Sequence, residues 1–194
     1  WDFGDGSLTT KSNNSSVFKT YSDTGDYLFQ LVFTNSQTCR DTVTRKLRVL
    51  PQPKAIFTHA DSLQCRTNNS FAFNNLSVSN SPTTSLTYDW RFDDTTSSAS
   101  TSPVKSYTFD GVKTNTLYVE NGEGCRDTFS STLEVYPQSV VDFSINDNDQ
   151  CENNNLFQYT GNSTTGIRGG YLYSNWYFGD GGTDTSRSTS HRYS

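Results

Sequence analysis

A period of 86 residues constrains this chain of 194 residues more than any other feature of its sequence. The period relates three tyrosines and two pairs of cysteines, namely Tyr21, Tyr107 and Tyr193, Cys39 and Cys125, and Cys65 and Cys151. A tryptophan motif also recurs, at Trp1, Trp90 and Trp176, with three additional residues in the loop that follows Trp1. Self-similarity at a fixed spacing is typical of tandem repeats. We therefore predict an array of similar modules.

Proline residues mark where one repeat ends and the next begins, because proline cannot donate to a central β-ladder. Pro51 and Pro53 form one boundary, and Pro137 forms the next. We predict a complete module at residues 53–138, the C-terminal part of a module at 1–52 and the N-terminal part of another at 139–194. We expect flanking chain to supply the strands that the two partial modules lack.

The composition favours an all-β fold in which each strand has one buried and one solvent-exposed face. Aromatic residues make up 14% of the chain although hydrophobic residues make up only 31%, and no apolar stripe has the period of a helix. In the complete module we predict strands at 54–59, 69–76, 86–92, 106–110, 115–120 and 127–135. About seven short strands per module suit an immunoglobulin-like sandwich of two sheets.

Charge and hydropathy exclude two classes of partner. The net charge is −5, and no run of basic residues is present to neutralise phosphates, so we expect no binding to nucleic acid. No apolar stretch approaches the ~18 residues that a membrane span requires, so we expect no membrane insertion in this segment.

The repeated motif resembles the PKD domain. Trp-Asp-Phe-Gly-Asp-Gly occupies residues 1–6, Lys-Thr-Tyr ends at Tyr21, and Thr-Gly-Asp-Tyr ends at Tyr27. The middle repeat departs from the pattern, since Asp93-Asp94 replaces Gly-Asp. The resemblance implies tandem β-sandwich modules joined by short linkers that contain proline.

The cysteine-bearing version of this motif, with Cys-Arg-Asp-Thr at Cys39 and again at Cys125, is similar to repeats from very long surface proteins of Bacteroidota. Among these are gliding-motility adhesins exported by the type IX route. The resemblance implies an extracellular spacer or adhesive module whose partners are neighbouring modules and a surface polysaccharide or other ligand. The alternative is an accessory spacer or polymer-binding module of a secreted hydrolase.

The cysteine spacing leads us to predict a disulfide between Cys65 and Cys125 inside the complete module, closing a loop of about 60 residues. Zinc is the alternative, but neither Cys-x-x-Cys spacing nor helpful histidines are present. Cys39 and Cys151 would then bond to cysteines outside this chain.

We predict that the chain is not an enzyme and needs no cofactor. Its two histidines, His59 and His191, belong to no recognisable catalytic motif. Asp147 and Asp149 are candidates for a calcium site, because carboxylate oxygens suit this cation. The alternative is that such aspartates accept backbone hydrogen bonds in turns.

The once-per-repeat tryptophans and tyrosines are predicted to form the core motif of each sandwich, at Trp1, Trp90, Trp176, Tyr21, Tyr107 and Tyr193. Tyr171 and Tyr173 are better candidates for exposed ligand contacts. Asn14, Asn75 and Asn162 begin Asn-x-Ser/Thr sequons, which would mean little in a bacterial protein.

Overall fold

A computed structural model describes residues 1–11, 16–82, 85–166 and 170–194 of the chain. Within these ranges the regular structure consists of fifteen β-strands, and no helix occurs. The predicted all-β fold is therefore confirmed. The sequon at Asn14 lies outside the described residues.

The first segment, residues 1–52, contains a long antiparallel hairpin. Its strands are β1 (Gly25–Thr34) and β2 (Arg40–Val49), which pair along ten residues. The start of the chain joins this hairpin through a bridge between Asp2 and Gln30.

Residues 57–136 form two sheets, and we call residues 53–138 the middle module. Its strands in chain order are β3 (Phe57–His59), β4 (Leu63–Cys65), β5 (Phe71–Asn75), β6 (Leu86–Arg91), β7 (Ser97–Ser98), β8 (Val104–Lys105), β9 (Gly111–Asn121) and β10 (Arg126–Tyr136). One sheet has the order β4-β10-β9-β6-β7 and the other the order β3-β5-β8. All pairs are antiparallel except β4 with β10, which is parallel. This arrangement is a β-sandwich.

Alternating apolar residues from both sheets meet in a single core. In β5, for example, Phe71 and Phe73 are buried whereas Ala72 between them is exposed, as expected for a strand with one inward face. The buried cluster comprises Ala55, Phe57, Phe71, Phe73, Trp90, Phe92, Tyr107, Leu117, Val119, Leu133 and Val135. Because every member lies between residues 55 and 135, the middle module covers its own core and is self-contained.

One strand prediction was wrong. Residues 106–110 do not form a strand, and the short β8 precedes them. The amide and carbonyl of Tyr107 instead bond to the Asn69 side chain, which takes the place of a neighbouring strand. The sequence analysis also missed β4 and β7, which are only three and two residues long.

The last segment, residues 139–194, repeats the first strands of the middle module. Its strands are β11 (Phe143–Ile145), β12 (Phe157–Gly161), β13 (Trp176–Tyr177), β14 (Thr183–Asp184) and β15 (Ser188–His191). β11, β12 and β14 begin 86 residues after β3, β5 and β7. Among the described strands, none of residues 1–52 pairs with one of residues 139–194.

Apolar faces that are covered in the middle module are open in the two partial units. Phe143 is 50% exposed, whereas Phe57, its equivalent one period earlier, is 3% exposed. In the first segment, Phe33 is 64% exposed, whereas Val119, its equivalent one period later, is 1% exposed. These faces lack the strands that cover the core of the middle module.

Candidate functional site

An aspartate side chain bonds to a basic side chain after the tryptophan in all three repeats. The pairs are Asp5 and Lys19 (2.6 Å), Asp94 and Lys105 (2.5 Å), and Asp180 and His191 (2.7 Å). In the middle module the Lys105 ammonium also lies 5.3 Å from the centroid of Phe92 and 5.4 Å from that of Tyr107. The conserved geometry makes the acid a structural group that ties a turn to the core.

Backbone geometry explains the glycine of the motif. Gly6 and Gly181 have φ angles of +85° and +94°, in the left-handed region that glycine adopts readily. In the middle module Thr95 takes this position with φ +67°. The turn thus needs a residue with positive φ, which is glycine in the outer repeats and Thr95 in the middle module.

Hydrogen bonds hold the aspartates in their turns. The carboxylate of Asp2 accepts from the Gly4 amide at 2.9 Å, and that of Asp5 accepts from the Ser7 amide at 3.0 Å. The carboxylate of Asp147 accepts from the Asp149 amide at 3.2 Å. These bonds support the alternative that such residues are turn formers.

The described part of the chain contains no group of three or more histidine, cysteine, aspartate or glutamate side chains that is suited to a metal ion. Asp147 and Asp149 are also too few, by themselves, for the six to eight oxygen ligands of calcium. We expect EDTA to leave the thermal midpoint of the protein within about two degrees of its starting value, since one degree is well below 1 kcal/mol for a domain of this size. A larger fall, reversed by calcium, would contradict this assignment.

The predicted core motif is most complete in the middle module. Trp90 is fully buried, and its indole N–H donates to the Ser100 carbonyl at 2.9 Å. Tyr107 is 3% exposed, and its hydroxyl bonds to the buried Asn115 side chain. In the partial units, Trp1, Trp176, Tyr21 and Tyr193 are half-buried.

Two buried asparagines, one in each of two repeats, bind the backbone of a repeated tyrosine, and the sequence analysis missed both. We call each set of bonds an asparagine latch. The Asn69 side chain donates to the carbonyls of Arg66 and Tyr107 and accepts from the Tyr107 amide, all within 2.8 Å. Asn155, one period later, makes the same three bonds to Glu152 and Tyr193. The 86-residue spacing of Asn69 and Asn155 was the sequence feature that could have indicated these contacts.

We expect acid pH to weaken the Asp94–Lys105 salt bridge in the turn of the middle module. Partial burial raises the pKa of Asp94, but hydrogen bonds from Lys105 and Thr96 outweigh this and lower it overall. A lowered pKa in the folded state stabilises the protein above the unfolded value near pH 4, and this stability is lost as the pH falls further.

We therefore expect acidification from pH 5 to pH 3 to destabilise the wild-type protein more than the variant Asp94→Asn. The difference should stay below about 1 kcal/mol, because the pair is partly exposed to solvent. Thermal unfolding at several pH values measures it. An equal acid response in both proteins would show that the Asp94 pair contributes no pH dependence.

The cysteines do not come together as predicted. Cys65 lies opposite Tyr136 at the end of β10, whereas Cys125 immediately precedes the start of that strand. Tyr136 lies eleven positions after Cys125 along an extended chain, a distance of about 35 Å. A disulfide requires Cα atoms within about 7 Å, so this register does not support a Cys65–Cys125 bond. All four cysteines are free thiols in the structure.

The incoming linker contacts one end of the middle module, which we call the N-terminal pole. There the Asn121 side chain donates to the Pro51 carbonyl at 2.9 Å, and the Gln52 side chain donates to the Arg126 carbonyl at 3.0 Å. The Asn121 carboxamide oxygen also accepts from the Cys125 amide at 3.0 Å. Cys125 therefore lies in the turn that holds the incoming linker.

The outgoing linker leaves from the opposite end, which we call the C-terminal pole. β10 ends there at Tyr136, and the Arg66 amide donates to the Tyr136 carbonyl at 2.7 Å. The next residues are Pro137 and Gln138. The chain thus enters the middle module at one pole and leaves it at the other.

A cavity of about 500 Å³ lies in the last segment. Val141, Phe143, Tyr159, Trp176 and Phe178 contribute to its lining. One period earlier, the equivalent positions are all members of the middle module's core. The cavity is therefore an open half of a sandwich core.

The two sheets, the shared core and the repeated turn define the middle module as an immunoglobulin-like sandwich. Residues 52–136 match the family model described as PKD domain. This part of the chain is therefore similar to PKD domains.

Three solved structures are similar. The PKD1 domain from Vibrio cholerae metalloprotease PrtV is 26% identical over 44% of this chain and 98% of that one, with a TM-score of 0.37. The PKD1 domain of Vibrio anguillarum Epp is 29% identical over 44% and 94%, also with a TM-score of 0.37. A structure concerned with carbohydrate-binding modules of the β-sandwich superfamily is 18% identical over 57% and 54%, with a TM-score of 0.41. The search of curated proteins gave no significant match.

Proposed function

We propose that this chain is a structural and adhesive stalk segment of a long, secreted cell-surface filament, in which each PKD module acts as a spacer without catalytic activity. The PKD match of residues 52–136 supports an extracellular module of this kind. A role in gliding motility and export by the type IX route belong to the same proposal and rest on the sequence resemblance. In the described residues, no helix has the length and apolar character to cross a membrane.

The observation that carries the proposal is the position of the two linkers. The Pro51 carbonyl is bound at the N-terminal pole, and the chain leaves beyond Tyr136 at the C-terminal pole. Between the poles β10 extends over eleven residues, or about 35 Å. A module with its linkers at opposite poles adds its own length to an array, as a stalk requires.

Contacts with the incoming linker also restrict bending. Besides the bonds from Asn121 and Gln52, the Asn80 side chain donates to the Gln52 carbonyl at 2.9 Å. Three hydrogen bonds around two linker residues hold the chain against the module that it enters. We infer a semi-rigid connection rather than a freely jointed one.

Small-angle X-ray scattering tests the spacer role. Arrays of two, four and six copies of residues 53–138, joined through their own linkers, should gain roughly 35–40 Å in maximum dimension per module. Because the core of the middle module is self-contained, each copy is expected to fold. A radius of gyration that grows as for a compact globule would contradict a stalk.

The alternative is an accessory module of a secreted hydrolase. It predicts a catalytic domain in the same polypeptide, whereas a filament predicts many further PKD repeats. The intact mass and the terminal peptides of the protein purified from its native source distinguish the two.

Adhesion to a surface polysaccharide is assigned to exposed aromatic rings in loops of the last segment. Tyr171 and Tyr173 are 89% and 92% exposed, and such rings stack on sugars at little entropic cost. Pull-down with insoluble polysaccharides should weaken in Tyr171→Ala and Tyr173→Ala but not in Tyr118→Ala, which removes an exposed ring from the middle module. Equal binding by all three variants would contradict this contact.

A further inference from the structure

The two cysteine positions of the repeat lie at opposite poles of one module. Cys65 is exposed beside Tyr136 at the C-terminal pole, and Cys125 is half-buried in the turn at the N-terminal pole. The distance of about 35 Å between the poles excludes a bond within the module. Each thiol instead lies where a neighbouring module begins.

The repeat shows which residues of the linker lie beside each cysteine. Tyr136-Pro137-Gln138 is equivalent to Leu50-Pro51-Gln52 one period earlier. A cysteine of the Cys65 type in the preceding module would therefore pair opposite Leu50, as Cys65 pairs opposite Tyr136.

The other cysteine lies near the next residue of the same linker. The Asn121 side chain bonds to both the Pro51 carbonyl and the Cys125 amide. The two types of cysteine thus flank adjacent linker residues, Leu50 and Pro51. The same cysteine-bearing turn recurs in the first segment, where the Cys39 amide donates to the Asn35 side chain at 3.0 Å.

We propose that a disulfide crosses each junction of the array and joins the Cys65-type cysteine of one module to the Cys125-type cysteine of the next. Cys65 then bonds to the cysteine one period after Cys125, and Cys125 bonds to the cysteine one period before Cys65. The inference rests on the proposed tandem stalk. The disulfide adds a second covalent connection, besides the peptide chain, at every junction. It also fixes the angle between neighbouring modules.

The bond forms by oxidation of two thiols. Two cysteine thiols lose two protons and two electrons, and a small-molecule disulfide such as oxidised glutathione accepts them and becomes two thiols. The exposure of Cys65 gives the oxidant access to one partner. An extracellular location permits the bond to persist.

The test uses the full chain with residues 109–138 appended after Ser194. Ser194 is one period after Thr108, so the appended segment continues the repeat in phase. It supplies the missing hairpin of the last module together with a second copy of Cys125. In this extended chain, Cys39→Ser, Cys125→Ser and Cys151→Ser leave Cys65 and the appended cysteine as the only thiols.

Incubation with oxidised and reduced glutathione should oxidise both thiols of this protein to a disulfide. Alkylation under denaturing conditions and the intact mass measure this loss of free thiols. Non-reducing peptide mapping should then show Cys65 joined to the appended cysteine within one molecule. The matched control keeps Cys125 and carries serine at the appended position, and its two thiols should stay alkylatable. Oxidation of the control, or failure of the cross-junction pair to oxidise, would overturn the proposal.

Scattering from the same extended chain separates the two proposals. If the chain is elongated but the cross-junction pair remains reduced, the disulfide proposal fails and the stalk proposal stands. If the chain is compact, the stalk proposal fails. Circular dichroism of both serine variants verifies that the β-sandwich has formed.

Discussion

Replacing Trp90 by alanine is expected to unfold the middle module or to remove most of its stability. The ring is fully buried between the two sheets, with centroids 4.9 Å from Phe57 and 5.4 Å from Phe73. Its N–H also satisfies the carbonyl of Ser100. Truncation of a buried tryptophan costs about 3–5 kcal/mol, which is comparable to the whole stability of a small domain. Urea unfolding followed by circular dichroism measures the loss.

The repeat provides a matched control. Trp176→Ala removes the equivalent ring from the last segment, where Trp176 is half-buried beside Phe143 and Tyr159. Its effect on the main unfolding transition should be less than half that of Trp90→Ala. Equal effects would mean that the last segment has a closed core, against the exposure of Phe143.

The second large effect is expected at Asn69. Asn69→Ala leaves the amide and carbonyl of the buried Tyr107 without their partners, and it also frees the Arg66 carbonyl. An unsatisfied buried polar group costs about 1–3 kcal/mol, so we expect a destabilisation of roughly 2–4 kcal/mol for the three lost bonds. Denaturant unfolding gives the value, and hydrogen exchange at Tyr107 shows whether that amide becomes free.

Asn155→Ala is the control, because it removes the same latch from the last segment. It should leave the unfolding of the middle module unchanged. If Asn69→Ala were also neutral, water would be satisfying the Tyr107 backbone, and the latch would not stabilise the fold.

The sequence predicted the core because burial repeats locally in a strand. Trp90 and Phe92 lie two residues apart and both point inward, as do Phe71 and Phe73. Tyr107 stood out only because it recurs once per period. Local alternation and the 86-residue period were sufficient for the fold class.

The cysteine pairing was not predictable in this way. Recurrence shows that Cys65 and Cys125 belong to the repeat, but it does not show at which pole each lies. That depends on the parallel pairing of β4 with the far end of β10, a contact between residues about 70 positions apart. A strand of three residues carries too little pattern to reveal such a partner.

The latch had a different reason for being missed. Asn69 precedes β5 in an irregular stretch, where asparagine is common in any turn. Its partner Tyr107 is 38 residues away. Only the tertiary structure shows that one side chain replaces a strand neighbour for the Tyr107 backbone.

The central claim is that the two linkers join the middle module at opposite poles. The distance between Cys65 and Cys125, one at each pole, tests this claim most directly. In the full chain with Cys39→Ser and Cys151→Ser, both remaining thiols are free to carry nitroxide labels. Pulsed electron paramagnetic resonance should then give a narrow distance distribution centred at about 35 Å, the length of β10. A distance below about 20 Å, or failure to label because the two cysteines had bonded to each other, would contradict the pole arrangement and the spacer role that depends on it.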